Sequence, residues 1–147
     1  MDAERRRRWM SALATAAPRS LEAAWERLDP RPGFTHLRKP EVGLVVVRGR
    51  AGGSGMRFNL GELPVTRCSV RLDDGAVGHA YVGGRDTRHA ELAAVFDALL
   101  QDERRGPALE AGLIVPLEAF REAGRLAAAS RSAPTRVDFF TMVRGED

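Results

Sequence analysis

Residues 48 to 62 read RGRAGGSGMRFNLGE, with glycines at 49, 52, 53 and 55 set among Arg48, Arg50 and Arg57. Successive glycines can aim backbone N–H groups at one point, and arginine forks around them would complete an anion site. Gly52, Gly53, Ser54 and Gly55 are the candidate donors, with Asn59 in the same stretch. Two familiar phosphate loops are excluded. A Walker loop needs a lysine behind its last glycine and must open a helix, and no lysine stands here. The dinucleotide pattern GxGxxG does not fit this glycine spacing, and MRFNLGELPV runs on into a strand. A looser anion nest stays open beside a plainer reading, a hairpin loop or a segment that orders against a partner.

A second constellation surrounds Cys68 and His79, the one pair that could make a nucleophile and its base. The turn at Asp74-Gly75 decides whether they meet. A two-residue turn puts them on one face as diagonal neighbours, roughly 7–8 Å apart and too far for direct proton transfer. A three-residue loop instead sets His79 beside Ser69, on a polar face with Arg67 and Arg71 suited to an anion. The ordinary reading of Cys68 is a small buried strand residue. No catalytic residue is assigned. His79, Asp86 and His89 have no standard ligand spacing, and one cysteine cannot assemble a zinc finger or iron–sulfur site, so no metal is expected. The run Arg5 to Arg8 could touch a phosphate backbone, but on an amphipathic helix such a run is ordinarily a solvated face.

The elements that must hold these residues follow from periodicity. Trp9, Met10, Leu13 and Ala14 mark a helix over 4–15. Pro18 breaks it, and Ser20 reads as the N-cap of a second helix carrying Leu21, Ala24, Trp25 and Leu28, ending near Asp29. VGLVVVRG is a continuous apolar strand of the kind that a sheet buries on both faces. VTRCSVRL and AVGHAYVG, joined by DDG, complete an antiparallel meander. Asp86 caps a helix with the stripe Leu92, Val95, Phe96 and Leu99, running to about Asp102. RRGP ends it, Pro116 begins a further helix, and 107–114 is helix or loop. TRVDFFTMV at 135–143 reads as a last strand joining the sheet. The class is α+β: an N-terminal helix pair, a central antiparallel sheet, two or three C-terminal helices and a final strand, in one domain over 1–147.

At 147 residues such a chain hides roughly 70% of its unfolded surface and needs no disulfide. The lone Cys68 fits a reducing compartment. MDAERRRRWM is followed by no apolar signal core, and LVVV, the longest aliphatic run, is far too short for a membrane span. A cytoplasmic protein without membrane contact is expected. The formal charge of +3 rests on arginine, with Lys39 the sole lysine, and is too small to argue for nucleic acid.

Several long collinear segments carry a resemblance: RWMSAL, LRKPEVGLVVVRGRAGGSGMRFNLGELPVTRCSVRL, GHAYVGGRDTRHAELAAVFDALLQ and TRVDFFTMVRGE. Together they resemble the PhnG family, a subunit of the bacterial carbon–phosphorus lyase system, over nearly the whole length, with 104–131 the least distinctive part. The resemblance implies an accessory subunit in a core complex with PhnH, PhnI and PhnJ, with a PhnG and PhnI tetramer at its centre. With PhnL, those subunits let methylphosphonate displace adenine from ATP, giving ribose 1-methylphosphonate 5-triphosphate. ATP is then a substrate of the complex, no cofactor belongs to this chain, and the family's chemistry is placed on PhnI and PhnJ. Two further readings stand beside it: a self-sufficient anion or nucleotide binder using Arg48, Arg50, Arg67 and His79, and an arginine-rich helix pair that binds DNA.

Overall fold

The structure, a computed structural model, describes residues 2–132. The expected strand at 135–143 lies outside the described residues. The order is α1 (Ala3–Thr15), α2 (Pro18–Glu26), β1 (Phe34–Arg50), β2 (Arg57–Leu72), β3 (Val77–Gly83), α3 (Thr87–Leu100), α4 (Gly106–Leu109), a π-helical turn (Glu110–Ile114) and α5 (Val115–Ser132). The three strands form an antiparallel meander in the order β1-β2-β3. The α+β architecture and the meander are those read from the sequence.

Helix α3 is the centre of the molecule. Its cap is Asp86, whose carboxylate accepts the His89 N–H at 2.9 Å. The sequence shows an apolar stripe, yet the helix is buried nearly all round, because α1 and α2 cover it on one side and the sheet on the other. Cys68, Val70 and Leu72 of β2 and Ala80 and Val82 of β3 complete this core with Trp9, Leu13 and Leu21. At Gly78 a β-carbon would lie 1.9 Å from the Ala94 carbonyl oxygen, so β3 rests on α3 at backbone distance.

Several boundaries differ from the expectation. Ser20 is inside α2: Pro18 occupies its first turn, Ala17 is the cap residue, and Ser20 N–H donates to the Ala17 carbonyl. Pro116 does not begin a separate helix, since the helical path is continuous from Gly106. A π-turn lies immediately before it, with Val115 N–H donating to Glu110 O, and the wider turn accommodates a residue that cannot join the regular ladder.

The largest departure is β1. It begins at Phe34 and runs 17 residues, with irregular register between His36 and Glu41. Only Val65–Arg71 of β2 pairs with β3, so β1 is the sole described strand neighbour of residues 57–64. Expected burial on both faces does not occur: Val42, Leu44 and Val46 are exposed. The apolar run belongs to a two-stranded ribbon that extends past the cover α3 provides.

Candidate functional site

The glycine stretch is the tip of this ribbon. Ala51–Gly53 makes one 3-10 turn, in which Gly52 takes a left-handed φ of 57°. Gly55 N–H donates to the Ala51 carbonyl at 2.8 Å, so at least one expected nest donor is spent inside the loop. Arg50 reaches the Gly55 carbonyl at 3.4 Å, whereas Arg48 and Arg57 have no side-chain partner among the described residues. Register sets Arg48 opposite Asn59 and Arg50 directly opposite Arg57. Like charges facing each other across a ladder repel, and within this chain no carboxylate between Val42 and Gly61 relieves them.

The other candidate set lies on β2 and β3. Ser69 faces His79, with Oγ and Nδ1 2.9 Å apart, as in the three-residue alternative for the hairpin. The loop is Asp73–Gly75, closed by Leu72 N–H to Ala76 O, and Gly75 supplies its φ of 92°. Arg67 is engaged by Glu41 at 2.6 Å, and Glu41 also receives Arg38; these two guanidiniums hold its carboxyl below the ordinary range. Arg71 has no side-chain partner among the described residues.

The structure does not bring the two sets together. Glu41 pairs with Arg67 and Val42 with Thr66, so along β1 the even-numbered residues continue the core-facing row and the odd ones the outer row. Arg48 and Arg50 therefore sit on the core side of the pleat, and Arg67, Ser69, Arg71 and His79 on the outer side. The register step at Leu60 carries Arg57 and Asn59 to the core side with their partners. Ten residues of β2 separate Arg57 from Arg67, about 33 Å at ~3.3 Å per residue. An anion pocket combining Arg48, Arg50, Arg67 and His79 is not formed.

The nucleophile reading fails on the same register. Cys68 faces Ala80 on the core side, away from His79. Its thiol is buried against the Arg38 carbonyl at 3.5 Å, and burial, with the Glu91 charge adding, pushes it up to about 11. Among the described residues no three His, Cys, Asp or Glu side chains gather as metal ligands.

Arg5, Arg7 and Arg8 lie on an exposed face of α1, as the sequence suggests, and Arg6 is half-buried. Arg5 and Arg8 bind Glu110, Arg8 also takes Glu118, and Arg6 donates twice to Asp97. These pairs fasten α1 to α3 and to the helical segment 110–118, so three of the four guanidiniums already have carboxylate partners. Asp97 is the site that sequence reasoning missed. It is fully buried and accepts the Arg6 fork at 2.7 and 3.1 Å, the Trp9 indole N–H at 2.9 Å and the His79 main-chain N–H at 2.9 Å. Its signal was one acid inside the apolar run AAVFDALL. His89 is likewise structural, donating from Nε2 to the Leu13 carbonyl at 2.8 Å.

Uncovered apolar surface is the remaining feature. On the core side of the ribbon Val42, Leu44 and Val46 extend the row of Thr66 and Cys68. On the outer side Leu63 faces Val45, while Phe58 and Leu60 flank Gly49. Elsewhere a groove of about 490 Å³ lies between α2 and α5, and α5 buries none of its residues.

A family model described as "Phosphonate metabolism protein PhnG" matches residues 4–145. The chain is also 48% identical over 142 residues to the alpha-D-ribose 1-methylphosphonate 5-triphosphate synthase subunit PhnG of Rhizobium meliloti (strain 1021), an alignment covering 97% of this chain and 90% of that protein.

Proposed function

The chain belongs to the PhnG family of phosphonate metabolism proteins, and on that premise we propose that it is an accessory subunit of a synthase forming alpha-D-ribose 1-methylphosphonate 5-triphosphate. The observation that carries the subunit role is the β1–β2 ribbon, which exposes Val42, Leu44 and Val46 on one face and Phe58, Leu60 and Leu63 on the other. A two-stranded ribbon has little stability of its own in water, and exposed apolar surface of this extent marks an interaction site. PhnI, PhnH, PhnJ and PhnL are the proposed partners, with ATP and methylphosphonate as substrates of the complex and no cofactor on this chain. The setting is the cytoplasm; among the described residues no helix is long and apolar enough to cross a membrane.

In this reading the tip arginines lend charge to the shared site. The repulsive pair Arg50 and Arg57 is relieved when a phosphate-bearing ligand or an acidic partner surface sits between the forks. Coexpression with PhnH, PhnI, PhnJ and PhnL, followed by purification through a tag on this chain, tests the subunit role. A heteromeric complex is expected, and a soluble monomer free of partners overturns it. Arg50→Ala in the complex tests the loan of charge: lowered synthase activity with intact assembly is expected, and unchanged activity returns the tip to architecture.

A further inference from the structure

We propose, building on the subunit reading, that the ribbon is inserted into an aliphatic slot of another polypeptide chain that closes over both of its faces. A ribbon that merely lay on a partner would need one apolar face. This one has two: Leu44, 61% exposed, stands in the core-side row, and Leu63, 57% exposed, on the outer side. The large apolar side chains left uncovered between Val42 and Leu63 amount to about 600–800 Å², close to the ~800 Å² that each partner contributes to a stable interface.

Glycines give an independent indication of how closely the outer wall approaches. Gly43 and Gly61 lie in extended strand with no positive φ, and a β-carbon at either would meet nothing within 4 Å. Among the described residues neither torsion nor packing calls for glycine there, and glycine weakens a strand unless another backbone comes close. Gly43 stands opposite Val65, which stands opposite Gly83, another position with open space, so the outer face is without side chains on either side of Val65 in this row. The core-side row is aliphatic from Val42 to Val46, and the outer face is open to main chain at Gly43 and Gly61, as expected for two different walls of one slot. A second copy of this chain is a poor occupant, because both tips would bring arginines and no carboxylate between Val42 and Gly61.

Two single variants, Leu44→Asp for the core-side row and Gly43→Val for the outer face, are to be carried in the tagged chain and coexpressed with the partner subunits. Each alone is expected to lower recovered partner at least tenfold, while the isolated variant melts within a few degrees of wild type. Gly43→Val is the sharper case, since a β-branched residue suits an open strand position. Should Leu44→Asp disturb the isolated chain, Leu44→Thr keeps the strand and tests the same row. Full recovery with either folded variant refutes enclosure on both faces and leaves the subunit reading standing. Failure of the wild-type chain to recover any partner refutes that reading instead. Sedimentation showing a dimer of the isolated chain that Leu44→Asp dissolves would make the occupant a second copy and overturn the proposal.

Discussion

Removing the Asp97 carboxylate leaves three donors without a partner at once: the Arg6 guanidinium, the Trp9 indole N–H and the His79 main-chain N–H. Unpaired buried donors cost far more than a hydrogen bond contributes, so Asp97→Ala is expected to destabilise the fold by about 3–5 kcal/mol in urea titration. Trp9→Phe, which removes one donor and keeps most of the ring volume, should cost about 1–2 kcal/mol. Cys68 predicts a pH dependence. Its folded thiol is held above its ordinary value, so the neutral form is favoured in the native state. That contribution is intact below about pH 9 and is lost as pH rises toward about 11, and Cys68→Ala should flatten this part of a stability profile. The folded protein should also resist thiol alkylation at pH 8, with reaction only in denaturant. The Ser69–His79 pairing was one of two options that the hairpin left open in sequence. Asp97 was not legible, because its value comes from Arg6 and Trp9, 91 and 88 residues away.

At the level of elements, periodicity found the helices that bury a face and the strands that alternate. It placed the cap of α3 at Asp86, because a capping carboxylate acts within three residues of itself. Where the outcome depended on more distant surroundings, sequence reasoning lost ground. VGLVVVRG is a strand, but apolar residues on both faces record only that something covers them, without saying that it belongs to the same chain. Pro116 looked like a helix start because a π-turn that makes room for it leaves no periodic trace. Gly78 is the clearest element-scale test: β3 lies so close to α3 that Gly78→Ala should cost about 3 kcal/mol or more by denaturation. The same substitution at Gly61, where the added methyl meets nothing in this chain, should leave stability within ~0.5 kcal/mol or raise it.

As a whole the described part of the molecule is a helix-centred body carrying a ribbon whose apolar rows no described residue fully covers. Ion pairs through Asp97, Glu110 and Glu118 hold the helices of the body together, and Glu41 ties β1 to β2. The tip arginines and the ribbon's apolar rows are what it offers to others. This division suits a subunit that completes a site rather than one that contains it. The most direct measurement is product formation from ATP and methylphosphonate by the reconstituted synthase subunits, with this chain present, omitted or alone. The account predicts turnover only when the chain joins its partners, none from the chain by itself and none from the partners without it. Full turnover by the partners alone, or any by the isolated chain, would contradict it.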